Sequence, residues 1–242
     1  MLATAIAWEA GLGFVVPLLL AIGIVLWVVL PVGTPTEEES EALPSGRVRD
    51  VVGELRGTNV AFVTFILFLY ILVWQSFTGL YPTYLVEEKG FSSSTAGLLF
   101  SVFFAFGVLV KPVSGVTYDR IGLCSALVIV LVGPVAGFAL LPFVEGFWPL
   151  VVVTALVSTM LGSGAITQSF LSDAIPAEIR GTGLGVVRTT AATLGAAGSV
   201  VFGAVADRGY FDEGYLLLGT ILVVVILLTL RLPKAGSGSS PS

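Results

Sequence analysis

SGVTYDRIGL, Ser114 to Leu123, sets an acid and a base side by side at Asp119 and Arg120, with Gly115 and Gly122 on either side. Long apolar runs precede and follow it. The stretch is too compact for a loose loop, so it reads as a tight turn between two hydrophobic helices. Gly115 removes a side chain, so another helix can come close. Gly122 allows an abrupt change of direction. Asp119 can accept hydrogen bonds from amides at a helix N-terminus, where the dipole favours negative charge. Arg120 can reach a carboxylate or a lipid phosphate. A plainer reading stands beside this one: Asp119 caps, and Arg120 follows the charge bias of membrane loops.

Outward from the turn, the composition is that of a bilayer-embedded chain. Hydrophobic residues make up 56% and charged residues 11%, against about 25% charged in soluble domains. The mean hydropathy is +1.02. Histidine is absent, and Cys124 is the one cysteine. A disulfide framework, a zinc site and haem ligation are therefore not expected. No metal or cofactor is called for, and Cys124 reads as a packing residue. The net charge is −5, with three lysines and eight arginines, so there is no basic face for nucleic acid.

Seven apolar runs approach the ~20 residues a helix needs to cross hydrocarbon. They are Gly11–Leu30, Val60–Tyr81, Thr95–Tyr118, Leu123–Leu141, Phe147–Phe170, Gly183–Val205 and Tyr215–Leu230. Backbone groups in lipid must be satisfied internally, so the runs are helices. Barrel strands would be half as long and would alternate in polarity. The expected fold class is thus all-α, a polytopic transmembrane bundle of about seven spans. The first run is too long for a signal peptide and lacks a basic leader and a small-residue cleavage site.

Loop charge sets the expected orientation. Arg47, Arg49, Arg56, Arg120, Arg180, Arg231 and Lys234 fall on one side; Lys89 and Arg208 fall on the other. The first set belongs in the cytoplasm, which places the amino terminus of this chain outside and the carboxyl terminus in the cytoplasm of a cell-membrane protein. Residues 1–32 then hold an outer segment and one span, and 33–57 a polar cytoplasmic linker. A six-helix module follows at 58–232, and 233–242 is a disordered tail.

GVTYDRIG resembles the G-x-x-x-D-R-x-G signature of the major facilitator superfamily. That signature lies in the cytoplasmic turn between the second and third helices of each six-helix half, and here it falls between the second and third helices of the module. YPTYLVEEKGFSSSTAGLL resembles the outer loop between the first two helices of a half. IPAEIRGTGLGV resembles the cytoplasmic segment before the fifth helix, and GSVVFGAVADRG the end of that helix. Where the family places basic residues after the signature, Leu123 and Cys124 stand instead. The resemblance spans essentially the whole chain. It implies the last helix of a first half followed by the second half, with a missing or separate amino-terminal helix bundle as partner. It also implies that Gly115, Asp119, Arg120 and Gly122 form a cytoplasmic gate.

Intramembrane charge is a functional signal by default. Lys111 and Arg188 sit inside spans near their cytoplasmic ends. They read either as snorkelling anchors, as members of a charge network with Asp119, Asp173, Glu178 and Arg180, or as contacts for an anionic solute. Near the midplane, Tyr70, Trp74, Gln75 and Gln168 are candidates for a substrate path. Trp74 and Gln75 are neighbours, so they cannot both face one cavity squarely. Gly195, Ser199 and Gly203, and likewise Thr154, Ser158 and Gly162, recur every four residues and mark close helix crossings.

The expected function is transport of a small solute across the bilayer by alternating access. A non-transporting subunit or an inactive half-transporter is the alternative. An intramembrane enzyme would need a histidine, a Ser–Lys pair, paired carboxylates or a metal cluster, and no catalytic residue is assigned. A retinal protein would need a lysine in the last span, and Tyr215–Leu230 has none. Glu88→Cys is expected to react from outside the cell with a membrane-impermeant thiol reagent, and Glu38→Cys is not. Labelling of both from one face overturns the orientation.

Overall fold

In the computed structural model, residues 58–175 and 180–231 are described, together with Pro17, Leu20, Ala21 and Ile24, which are helical and exposed. The chain forms two compact units, Met1–Val48 and Arg49–Ser242. The four described residues of the first unit lie in the first apolar run. The expected linker at 33–57, the tail at 233–242 and Glu178 lie outside the described residues.

The second unit is a helix bundle. Its elements are α1 (Thr58–Glu87), α2 (Ser93–Leu140), a 3-10 turn (Leu141–Phe143), α3 (Phe147–Ser158), α4 (Leu161–Ala174), α5 (Arg180–Ala206) and α6 (Phe211–Leu230). Among the described residues, five helical segments are long and apolar enough to cross a membrane. One of them, Ser93–Phe143, has 51 residues. At 1.5 Å per residue it would extend roughly 75 Å, more than twice the hydrocarbon thickness. It is not straight. Gly122 takes φ 77° and ψ 175°, a conformation open essentially to glycine alone. Phe103 before it and Phe138 after it both touch Phe77, at 5.0 and 5.5 Å between ring centres. Thirty-five residues apart, they can meet one ring only if α2 folds back at Gly122. The described residues of the second unit therefore run along the bundle six times, with Gly122 at one end and Gly90 at the other.

At the Gly90 end, α1 closes with the six-residue bond Phe91 N–H to Leu85 O at 2.9 Å, which glycine with φ 69° permits. Ser92 then caps α2 by accepting from Thr95 N–H at 3.2 Å. The run Phe147–Phe170, expected as one helix, is two. Between α3 and α4 the bonds tighten to the 3-10 pattern, with Thr159 N–H on Leu156 O and Met160 N–H on Val157 O. The cause is local. Ser158 Oγ donates to Ala155 O at 2.6 Å and Thr159 Oγ1 to Leu156 O at 2.8 Å. These hydroxyls compete for carbonyls that the helix would use. Thr159 Oγ1 also lies 3.0 Å from Val130 O of α2, which ties the break to a neighbouring helix.

Small residues set the spacing between helices. α1 packs most extensively on α5. A Cβ at Gly198 would stand 2.7 Å from Leu72 O and 2.8 Å from Ser76 Oγ of α1. Ser199 Oγ donates to Gln75 O at 2.9 Å across the same seam. Gly133 and Gly137 play the same part for α2 against α3, where a Cβ would meet Leu156 O at 2.9 Å and Val153 O at 3.3 Å. Gly203 is looser, with Leu80 Cδ1 at 3.9 Å as the nearest contact. Outward-facing apolar side chains such as Leu109, Val113, Val200 and Leu227 remain exposed, as a lipid-facing surface requires. Gly198→Ala is expected to destabilise the bundle by about 1–3 kcal/mol, because a backbone carbonyl cannot move aside. Gly203→Ala should be near neutral. Thermal unfolding in detergent checks both, and equal effects would contradict the seam.

Candidate functional site

Along α1 the character of the bundle changes. The part toward the Gly90 end is filled by aromatic rings. Phe77, Tyr81, Tyr84, Phe103, Phe138 and Tyr215 are fully buried. Phe77 stacks on Tyr81 at 4.5 Å, and Tyr84 meets Tyr215 edge-on at 4.7 Å. Several polar ends in this layer are tied across helices, although the Tyr215 hydroxyl is buried with no hydrogen-bond partner among the described residues. The Tyr81 hydroxyl bonds Thr154 Oγ1. Tyr84 Oη donates to Asp212 Oδ1 at 2.7 Å, and Lys89 Nζ donates to Pro142 O at 2.7 Å. None of these ties was anticipated from the sequence, since each joins residues more than 50 positions apart.

Toward the Gly122 end the bundle is hollow. A cavity of about 360 Å³ lies among α1, α2, α4 and α5. Leu67, Ile71, Leu161, Leu171 and Leu184 give it an apolar wall. Its polar lining comes from Tyr70 and Trp74 of α1, Lys111 of α2, Thr167 and Gln168 of α4, and Arg188 of α5. The break before Leu161 starts α4 at this level, so α4 lines the cavity on its own course. Tyr70 packs against Gly164, where a Cβ would stand 3.3 Å from its hydroxyl. Ser163 Oγ, next to Gly164, donates to Met160 O at 2.7 Å. Trp74 Nε1 is buried and has no hydrogen-bond partner among the described residues.

Of the substrate-path candidates, Tyr70, Trp74 and Gln168 share this cavity, and Gln75 is not among its lining residues. Gln75 sits on the α5 seam, where its carbonyl accepts from Ser199. The charge-network candidates separate. Lys111 and Arg188 line the cavity. Asp173 accepts from Tyr118 Oη at 3.0 Å, and Arg180 Nε donates to Ile175 O at 3.4 Å. Asp119 and Arg120 are exposed at the Gly122 end. A Cβ at Gly115 would meet nothing within 4 Å. The close approach expected at Gly115 is thus not made by any described residue of this unit.

The Major Facilitator Superfamily pattern matches residues 1–196 and, a second time, residues 63–242, together the entire chain. The chain belongs to the Major Facilitator Superfamily. With its long apolar helices it is a multi-pass membrane protein. It is similar to the hexuronate transporter of Bacillus subtilis (strain 168), at 27% identity over 257 residues, covering 96% of this chain and 59% of that protein. It is also similar to multidrug resistance protein MdtG of Proteus mirabilis (strain HI4320), at 25% identity over 154 residues, covering 62% of this chain and 38% of that protein. The chain therefore spans well under two thirds of the length of these relatives.

The exposed turn makes a sharp stability prediction. Asp119→Asn and Arg120→Gln should leave the unfolding of the second unit unchanged within about 0.5 kcal/mol. Gly122→Ala should cost about 1–3 kcal/mol, because its backbone conformation excludes a side chain. Circular dichroism melts in detergent distinguish them, and loss of stability in Asp119→Asn would show a capping bond within the unit.

Proposed function

We propose that this chain is the carboxyl-terminal part of a secondary transporter that moves a small solute by alternating access. The observation that carries the reading is the hollow at Tyr70, Trp74 and Gln168, with a sealed aromatic layer directly beyond it along α1. A solute in such a hollow has access from one side of the membrane and is stopped from the other. The names of the relatives, a hexuronate transporter and a multidrug resistance protein, support solute movement. On the charge bias of the loops, the Gly122 end faces the cytoplasm, so the hollow is the inward-facing form of the path.

In this reading the Asp119 turn is one half of a latch. Its partner is a helix end supplied by an amino-terminal bundle, which would pack over Gly115 and present its amides to Asp119. Closing the latch favours the outward-open state, and breaking it favours the inward-open one. The chain by itself inserts into a bilayer but does not transport, since half of the solute path is absent. An acid for proton coupling is not provided by the residues around the hollow.

The test is gradient-driven solute flux in proteoliposomes containing the complete transporter. Asp119→Asn should preserve expression and lower the rate by up to about threefold, because a loss of about 0.3–1 kcal/mol at a helix terminus reduces one state of a balanced two-state equilibrium by that order. Gly115→Leu should be more severe. Trp74→Ala and Gln168→Ala should impair flux with the fold intact. Native flux in all four variants would refute the proposal, as would flux by a purified monomer of this chain.

A further inference from the structure

The lining of the hollow has an imbalance that its transport role does not require. It holds two cations, Lys111 and Arg188, and among the described residues that line it there is no Asp or Glu. Neither cation has an ion-pair partner among the described residues. Lysine and arginine are donors only, with no lone pair to offer a ligand. Both side chains are exposed, and a neutral solute would leave their charges uncompensated. A cationic solute would be repelled. The set is complementary to a group that carries negative charge and only accepts hydrogen bonds.

Building on the transport reading, we infer that the solute is a small organic anion, its acidic group held between Lys111 and Arg188. The guanidinium fork suits two oxygens of a carboxylate or phosphate, and the ammonium supplies a second point of charge. The rest of the solute lies against Trp74 and the leucines of the wall. Gln168 can serve hydroxyls or carbonyls on that body. The volume, about 360 Å³, is at the small end of ligand sites and fits a solute of one ring or a short chain.

The charge of the hollow can be read without observing transport. In a Cys124→Ser background, Gln168→Cys and Leu184→Cys place a thiol in the lining, and Ser94→Cys places an exposed control at the Gly90 end. Each is treated with an anionic and a cationic methanethiosulfonate. The anionic reagent should be favoured at the two cavity positions by roughly tenfold over the control. Lys111→Gln and Arg188→Gln should each erase much of that preference. Two positions guard against one substitution failing to fold. Benzoate, gluconate and glycerol phosphate are then tested as protectants against benzamide, sorbitol and glycerol. Protection by carboxylates or by the phosphate ester identifies which acid is held. A reagent ratio equal to the control overturns the inference, as does a ratio unmoved by both neutralisations. Protection by none of the anions, or equal protection by neutral counterparts, overturns it as well. These outcomes leave the transport reading standing, whereas absent flux with an intact anion preference would remove transport and keep the anion site.

Discussion

The approach of α5 to the backbone of α1 is the contact on which the rest of the bundle depends. Gly198 lies against the Leu72 carbonyl, and Ser199 ties the seam at Gln75. In lipid no hydrophobic force draws helices together, so association relies on packing and hydrogen bonds that small residues permit. With α5 held there, α1 has one orientation. Its Leu67, Tyr70 and Trp74 turn to the hollow, and its Phe77, Tyr81 and Tyr84 turn to the aromatic layer. A single helix thereby forms a wall of the open half and the core of the closed half.

The same logic explains why irregular backbone appears only where it is satisfied. Gly122 bends α2 at the end of the bundle, where loop groups meet a polar environment. The break at Thr159 lies within a membrane-spanning segment, where an unsatisfied carbonyl would be costly. There the hydroxyls of Ser158, Thr159 and Ser163 donate to Ala155, Leu156 and Met160 carbonyls. A helix can therefore be interrupted inside the apolar layer without stranding its polar groups.

What could be read in the sequence was what depends on local chemistry. The turn at Gly122 was legible because glycine beside charged residues has one sensible place between two apolar runs. Tyr70, Trp74 and Gln168 were legible as polar or aromatic groups at mid-run. The adjacency of Trp74 and Gln75 already required one of them to face elsewhere. The break at Thr159 was not legible, because it has no proline and depends on Val130 of another helix. Lys111 and Arg188 stood out together in the sequence, but a basic residue near a helix end equally reads as an anchor, and only the packing of four helices brings the two to one space.

The division of the bundle into a hollow half and a filled half also shapes the electric field. On the transport path proposed above, water reaching Lys111 and Arg188 would carry the potential of its own compartment with it, and the membrane voltage would fall chiefly across the aromatic layer from Phe77 to Tyr84. A unit charge crossing the whole drop exchanges about 2.3 kcal/mol per 100 mV. Here that exchange is concentrated in roughly two helical turns. A charged solute would move through the hollow at nearly constant potential and meet the voltage only at the rings.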